Sequence, residues 1–271
     1  MEEFTEANRM SWDERVRIHL RDRTGFYDVQ AVKDGTRDLI PIEAGEIGDV
    51  TGKRLLHLQC HFGLDSLMLA RRGARVTGLD YSPAAIAAAR ALAQDCGLDA
   101  RFVEANVYDA ASAVKGPFSV VYSTWGTIIW LPDLDRWAEI VASLLAPGGF
   151  LYLADAHPGI LPLEEEDGHL VFRYGWRTAP GMPDAFDEAT TYTGDADRLS
   201  HTRTYEWIHP FSRVVGALLA AGLRLDMLRE HERLPWQAFP MMVPDSDGLF
   251  RLPDGHARLP LAFSLKASKP N

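Results

Sequence analysis

Polar side chains follow several short apolar runs of this sequence, at the point where each run ends. Asp80 comes after ARVTGL, Asn106 closes ARFVEAN and Asp155 closes FLYLAD. The two oxygens of a carboxylate can each accept a hydrogen bond, so Asp80 is suited to hold both hydroxyls of a ribose. The alternative is that Asp80 only caps the following helix, a role for which Ser82 is already placed. The pattern favours a nucleoside site built from strand ends.

Two histidines are candidates for acid–base chemistry. His157 and His209 each precede a proline, which restricts the histidine backbone to extended conformations. An imidazole with a pKa of about 6.5 can take a proton from a hydroxyl at neutral pH. We expect His157 rather than His209 to be the base, because the end of a core strand is the more rigid platform. Tyr205 or Glu206 would orient the acceptor. A purely structural role for either histidine stays open.

The sequence predicts alternating strands and helices, and these elements must bring the polar residues together. Apolar runs of β character lie at 54–59, 74–79, 100–106, 117–124, 150–155, 223–228 and 260–267, and helical periodicity separates most of them. This alternation predicts an α/β fold: a doubly wound, mostly parallel, seven-stranded Rossmann-like sheet. Ligands of such sheets bind beyond the carboxyl ends of the strands, where the polar residues are expected.

Composition excludes several classes of protein. The 271 residues carry 28 Lys and Arg against 38 Asp and Glu, and the net charge of −10 disfavours nucleic acid as a partner. Two cysteines cannot form a disulfide framework, and no spaced cluster of ligands predicts a metal site. The longest apolar run, about ten residues, is too short to cross a bilayer, and the polar start does not resemble a signal peptide. We therefore expect a cytoplasmic protein with no membrane partner.

Five motifs in register carry a resemblance to a known family. They are HLQCHFG at 57–63, GLDYS at 78–82, EANVYD at 104–109, VVYSTWG at 120–126 and LLAPGG at 144–149. In order and spacing they resemble the motifs of class I S-adenosylmethionine-dependent methyltransferases, and more narrowly a bacterial subgroup with an HLQCHFG-type first motif. The resemblance covers residues 50–155.

The resemblance implies transfer of a methyl group from S-adenosylmethionine to a small-molecule acceptor. It also implies a set of cofactor-binding residues at the strand ends and in the N-terminal segment. These are Trp12, Tyr27, Gln59, His61, Gly63, Asp80, Tyr81, Ser82, Asn106, Val107 and Ser123. Methyl transfer from a sulfonium is a single in-line displacement, so no metal is required and the protein mainly aligns the reacting atoms.

The sequence also predicts a division of the chain into four parts. Residues 1–50 would form a helical lid over the cofactor, although a helix packed on the sheet edge is the alternative. Residues 51–157 would form the cofactor-binding core. A β-rich insertion after the fifth strand, residues 158–208, would wall the acceptor pocket, and residues 209–271 would complete the sheet. The insertion is rich in acids, Gly, Pro, Thr and aromatic residues.

The first motif departs from the family pattern of acid-x-Gly-x-Gly-x-Gly. Here His57 replaces the acid, and Gln59 and His61 replace two glycines. His57 cannot supply the carboxylate that usually holds the ammonium group of the donor. We expect backbone carbonyls, or an acid such as Glu43 or Glu46, to hold it instead.

Two other functions remain open on the sequence. A nicotinamide-dependent oxidoreductase would also use Asp80, but it needs a GxGxxG turn, which QCHFGL lacks. A non-catalytic binding module of the same fold would account for the altered first motif. The acceptor is not determined, although five tryptophans suggest a partly aromatic pocket: Trp125, Trp130, Trp176, Trp207 and Trp236.

Overall fold

A seven-stranded sheet forms the centre of the protein. The structure, a computed structural model, describes residues 2–179 and 181–271. The strands are β1 Arg54–Leu58, β2 Arg75–Asp80, β3 Ala100–Glu104, β4 Phe118–Thr124, β5 Leu145–Ala156, β6 Leu163–Glu166, β7 His169–Phe172, β8 Asp184–Asp187, β9 Arg203–Glu206, β10 Arg224–His231, β11 Val243–Pro244, β12 Phe250–Arg251 and β13 Ala262–Ser268.

The order of strands in the large sheet is β10-β13-β5-β4-β1-β2-β3. Strands β1 to β5 pair in parallel, whereas β13 runs antiparallel to both of its neighbours. The order reverses at β1 and β4, which is where ligands bind in doubly wound sheets. The predicted α/β class and the mostly parallel seven-stranded sheet are confirmed.

Helices cover the sheet, and three of them precede its first strand in the sequence. They are α1 Glu2–Arg21, α2 Val29–Asp34, α3 Pro41–Glu46, α4 Leu64–Arg71, α5 Pro83–Asp95, α6 Ala110–Ala113, α7 Leu134–Leu144 and α8 Phe211–Ala220. Ser82 caps α5 as predicted, because its Oγ accepts a hydrogen bond from Ala85 N at 3.0 Å. Across the described residues, no helix is both long and apolar enough to cross a membrane.

The N-terminal segment is helical, and it begins with one long helix followed by two short ones. Helix α1 has 20 residues, and much of its buried side is polar. A search for hydrophobic periodicity misses such a face, because it counts only the apolar positions. The buried residues of α1 are Asn8, Ser11, Arg15, Val16, Ile18 and His19. Met1, which begins the predicted lid, lies outside the described residues.

Two insertions lie above the carboxyl ends of the strands. The first contains the hairpins β6–β7 and β8–β9, as the β-like pieces of residues 158–208 predicted; Pro180 of this segment is not among the described residues. The second, residues 232–261, was not predicted as a separate unit. It carries the short pair β11–β12 and packs Leu234, Phe239 and Met242 against Ala156 at the end of β5.

Candidate functional site

A cavity of about 470 Å³ lies at the carboxyl ends of the central strands. Its walls come from the turns after β1, β2 and β4, from α1 and from the first insertion. Nine of the residues predicted to bind the cofactor line it: Trp12, Tyr27, Gln59, His61, Gly63, Asp80, Tyr81, Asn106 and Val107. The tertiary structure thus brings most of the predicted cofactor residues into one place.

The turn after β1 has the backbone conformation of a glycine-rich loop, although only one of the three glycines is present. Gln59, His61 and Gly63 all have positive φ angles, +54°, +49° and +82°. These are the three positions at which the resembled motif has glycine. A left-handed conformation costs a non-glycine residue roughly 1–2 kcal/mol. The backbone therefore follows the course of a glycine-rich loop, while two side chains are added to it.

Only glycine can occupy position 63. A Cβ atom at Gly63 would lie 2.7 Å from Cε1 of Phe102 and 3.0 Å from the Cβ of Ala89. Helix α4 begins at the next residue, so the missing side chain lets the start of α4 approach β3 and α5 closely.

Asp80 faces this turn from the end of β2. Its carboxylate accepts hydrogen bonds from the backbone N–H of His61 at 2.8 Å and of Ser82 at 2.9 Å. Burial raises the pKa of Asp80 to about 6. The two bonds use part of the capacity of the carboxylate, which can accept about four. Asp80 therefore organises the turn and can still accept hydrogen bonds from a ligand.

The turn after β3 contributes Asn106 and Val107. Asn106 Oδ1 accepts a hydrogen bond from Tyr108 N at 3.0 Å and caps a short 3₁₀ turn. One lone pair of that oxygen is thus used, and a second remains for a ligand amino group. Tyr81, at the end of the neighbouring strand, lines the same part of the cavity.

Two acids, the buried Glu43 and the partly buried Asp65, lie where the first motif lacks one. Glu43, from α3, lines the cavity and accepts a hydrogen bond from the indole N–H of Trp125. Burial, and then the charge of Asp65, raise the pKa of Glu43 to about 8. Burial also raises the pKa of Asp65, in the first turn of α4, to about 6. Asp65 was not predicted; its position two residues after Gly63 was the available signal.

Glu46, the other acid proposed for the ammonium group, does not line the cavity. It accepts a hydrogen bond from Tyr152 OH at 2.9 Å and pairs with Arg229 at 3.2 Å.

Gln59, from the turn after β1, does line the cavity. Its Nε2 donates to Thr127 O at 3.0 Å, whereas its buried Oε1 has no hydrogen-bond partner in the described part of the chain. This acceptor lies beside the cavity and is available to a donor there.

Asp155 holds the loop after β4. Its carboxylate accepts hydrogen bonds from the backbone N–H of Gly126, Thr127 and Ile128 at 2.7, 2.8 and 3.0 Å. Trp125 in this loop has a φ of +49°. Asp155 therefore fixes the backbone that carries Trp125 into the cavity.

Two predicted cofactor residues serve the fold in the structure. Ser82 lies at the N-cap of α5 and donates its hydroxyl to Asp13. The fully buried Ser123 donates to Thr127 Oγ1 at 3.1 Å. Neither lines the cavity.

The two predicted catalytic histidines also lie outside the lining of the cavity. His157 Nδ1 accepts from Gly159 N at 3.0 Å, so its Nε2 carries the hydrogen, and this atom lies 3.1 Å from Glu230. His209 Nε2 donates to Leu131 O at 2.7 Å. Strand β10 brings Glu230 to His157, and His209 contacts the chain at Leu131, so neither ring is part of the cavity wall. A catalytic role for these histidines stays a prediction.

The first insertion and α1 supply the remaining wall. Arg15, from α1, and Glu206, from β9, both line the cavity. Glu206 was expected to orient the acceptor, whereas Arg15 was not predicted as a site residue. Burial, and then the nearby charge of Glu188, raise the pKa of Glu206 to about 7. Asn8 joins the two elements, since it exchanges two hydrogen bonds with the backbone of Tyr205 at 2.7 and 2.8 Å.

The tryptophans divide between the cavity and other places. Trp125, Trp130 and Trp236 line the cavity, whereas Trp207 is in the core and the side chain of Trp176 is 61% exposed.

In the described ranges, no group of three or more His, Cys, Asp and Glu side chains is arranged to hold a metal ion.

Part of the chain matches a known protein family. The family described as "Methyltransferase domain" matches residues 56–151. The Ubiquinone biosynthesis O-methyltransferase of Cronobacter sakazakii is 31% identical over 118 residues, which are 42% of this chain and 48% of that protein. The enzyme of the same name from Xanthomonas euvesicatoria is 33% identical over 106 residues, 39% of this chain and 44% of that protein. The chain thus spans about half the length of the curated relatives it matches.

Solved structures match over a longer part of the chain. An S-adenosylmethionine dependent methyltransferase from Mesorhizobium loti superposes with a TM-score of 0.57 at 17% identity, covering 84% of this chain and 96% of that one. A glycopeptide N-methyltransferase complexed with S-adenosylmethionine has a TM-score of 0.52 at 18% identity, covering 86% and 88%. At these identities the likeness is one of fold.

Proposed function

We propose that this protein is an S-adenosylmethionine-dependent methyltransferase that acts on a small-molecule acceptor. The observation that carries the proposal is the arrangement of Asp80 and the left-handed turn at 59–63, which face each other in one cavity. The match of residues 56–151 to a methyltransferase domain supports it. The turn also supports assignment to the subgroup with an HLQCHFG-type first motif.

The adenosine end of the donor would lie against the ends of β2 and β3. Asp80 accepts hydrogen bonds from the ribose hydroxyls with the lone pairs that His61 and Ser82 leave free. Asn106 accepts from the adenine amino group, and Tyr81 and Val107 flank the base.

The amino-acid end of the donor would lie near α3 and α4. Glu43 and Asp65 provide the negative charge that His57 cannot, and Gln59 Oε1 accepts a further hydrogen bond from the ammonium group. A cation between the two carboxyls relieves their mutual repulsion and part of the cost of burying them. Arg37 also lines the cavity and is suited to the donor carboxylate.

When bound, the donor supplies an activated methyl group on a sulfonium. The protein aligns the acceptor and excludes water, which the aromatic wall around Trp12 and Trp130 favours. Glu206 is placed to accept a proton from the acceptor, because its carboxyl lies in the cavity and has a pKa close to neutral pH. We propose Glu206 for this role ahead of His157 and His209.

The division of the chain follows the same scheme. Residues 1–50 close the donor site, residues 51–157 bind the donor, residues 158–208 form the acceptor wall, and residues 209–271 complete the sheet. The contribution of Trp12, Tyr27 and Glu206 to one cavity supports these assignments.

Calorimetric titration tests the proposal. S-adenosylmethionine and S-adenosylhomocysteine should bind, whereas NAD should not. Transfer of a labelled methyl group to a panel of small hydroxylated, amine and thiol compounds then separates an enzyme from a non-catalytic binding module. Absence of donor binding by the folded protein would reject the proposed function.

A further inference from the structure

Arg15 is a buried cation with little to pair it. The residue is 3% exposed and lines the cavity. Its Nε donates to Ser11 Oγ at 3.3 Å, and its only described ion pair joins Nη2 to Glu188 Oε2 at 3.9 Å. That distance exceeds a hydrogen bond. A guanidinium has five N–H donors, so most of those of Arg15 are left for the cavity.

The surrounding acids do not compensate this charge. The side chain of Glu188 is 60% exposed, so water solvates its carboxylate more than Arg15 does. Glu206 forms no ion pair with Arg15 among the described contacts, and burial favours its neutral form. A buried cation without a close partner is costly, and an anionic ligand removes that cost.

The neighbours of Arg15 are flat aromatic rings. The guanidinium carbon lies 5.4 Å from the ring centroid of Trp12. Trp12 in turn contacts Trp130 edge to face, with centroids 5.5 Å apart at 88°. Tyr192 closes the same side, and its ring centroid lies 6.4 Å from that of Trp12. An apolar planar group is therefore favoured next to the cation.

Arg15 is also separate from the acids proposed for the amino-acid end of the donor. Its charge acts on Glu206 and Tyr192 of the first insertion. It also acts on His61, Tyr27 and Tyr81 on the donor side, whereas the cation that acts on Asp65 is Arg37. Because the carboxylate of the donor is assigned to Arg37, an anion bound by Arg15 would belong to the second substrate.

We propose that Arg15 binds a carboxylate of the methyl acceptor, and that the acceptor is a small aromatic carboxylic acid. The planar guanidinium matches a carboxylate with two parallel hydrogen bonds, and Trp12 and Trp130 enclose the aromatic ring. This inference rests on the proposed function, because it assigns the second substrate of the same site.

The test compares carboxylates with neutral compounds of the same shape. Benzoate, 4-hydroxybenzoate and 3,4-dihydroxybenzoate are titrated into the full chain, each alongside its amide, with and without S-adenosylhomocysteine. At least one carboxylate should bind ten times or more tightly than its amide. Arg15→Gln should abolish that preference and change S-adenosylhomocysteine affinity less than threefold. Arg17→Gln is the matched control, since Arg17 lies on the same helix with a side chain that is 63% exposed; it should retain the preference.

Several outcomes would overturn the inference. One is a wild-type protein that binds S-adenosylhomocysteine but no carboxylate better than its amide. Another is an Arg15→Gln variant that keeps the preference. If Arg15→Gln does not fold, the wild-type comparison and the Arg15→Lys variant test the inference. Lysine keeps the positive charge but lacks the planar guanidinium with its two parallel N–H donors, so the preference for the carboxylate over its amide should fall at least threefold. Failure of S-adenosylhomocysteine to bind would instead count against the proposed function.

Discussion

The Nδ1 atom of His19 lies 2.9 Å from the Nε2 atom of His61. Burial lowers the pKa of His19 to about 3 and also lowers the pKa of His61, so both rings are neutral and one donates to the other. The backbone N–H of His61 donates to Asp80. Helix α1 is thus joined through one residue to the turn and to the acid proposed to hold the donor, and its position and donor binding should be coupled.

The first prediction concerns the wall that α1 contributes. Trp12→Ala should weaken S-adenosylhomocysteine binding about tenfold, mainly through faster dissociation, because Trp12 packs on His61 and Trp130 over the cavity. Stopped-flow fluorescence measures the rates. Phe4→Ala is the control, since Phe4 packs on Tyr205 away from the cavity. Equal dissociation rates in the wild type and in Trp12→Ala would argue for a helix that only packs on the fold.

The second prediction concerns the ribose acid. Asp80→Asn should weaken donor binding by about 1.5–3 kcal/mol, roughly tenfold to 100-fold, because a hydrogen bond to a charged acceptor is lost. Glu104→Gln provides the control: Glu104 pairs with Asp80 in the register of β2 and β3 but is exposed. Calorimetry measures both affinities, and thermal unfolding confirms the fold. Wild-type affinity in folded Asp80→Asn would remove Asp80 from the site.

The third prediction is a proton released when the donor binds. At pH 7 a carboxyl with a pKa of about 8 is protonated in roughly nine of ten molecules. An ammonium group beside Glu43 favours the carboxylate, lowers its pKa and sends the proton to the buffer. Calorimetry in phosphate and in Tris at pH 7 should show close to one proton released, and Glu43→Gln should remove this difference between buffers.

Glu46→Gln is the control for that measurement. Glu46 lies outside the cavity and is bonded to Tyr152 and Arg229, so its loss should leave proton release and donor affinity near the wild-type values. The reverse result, release lost in Glu46→Gln and kept in Glu43→Gln, would assign the ammonium group to Glu46.

The fourth prediction links Glu43 to stability. The pKa of Glu43 is about 8 in the folded protein and 4.5 ordinarily, so between these values the folded protein keeps a proton that the unfolded chain loses. The free energy of unfolding is therefore not reduced by Glu43 below about pH 4.5, and it falls as the pH rises from there through 8, because ionising the buried carboxyl is unfavourable. Glu43→Gln removes the penalty. Its Tm relative to wild type should therefore rise between pH 5 and pH 8.5 in scanning calorimetry; a constant difference would contradict the assigned burial effect.

The fifth prediction separates the candidate bases. A base must be unprotonated, so kcat should rise with pH through about 7, the pKa of Glu206. Glu206→Gln should lower kcat about 100-fold and remove this rise. His157→Ala should leave kcat and KM within about twofold, because both ring nitrogens of His157 are already engaged outside the cavity. Initial rates with a hydroxybenzoate acceptor measure both, and the opposite pattern would restore His157 as the base.

The succession of strands and helices along the chain, and the residues that end the strands, could be predicted from the sequence. Apolar runs, helix caps such as Ser82 and the glycine at 63 are local signals, and parallel strands place their ends at one edge of a sheet. Asp80 and Asn106 follow directly from that rule. The left-handed backbone at Gln59 and His61 could not be predicted in this way. Non-glycine residues rarely adopt that conformation, so their identities give no local signal for it.

Contacts between distant parts of the chain were decided only by the tertiary structure. Arg15 and Glu206 lie 191 positions apart, and they share a cavity because α1 packs between the first insertion and the turn after β1. The raised pKa values of Glu43 and Glu206 result from burial, which depends on which elements cover a residue and not on its neighbours in sequence. His157 shows the same limit: the prediction placed its backbone at the correct strand end, and Glu230 from another strand determined where its ring points.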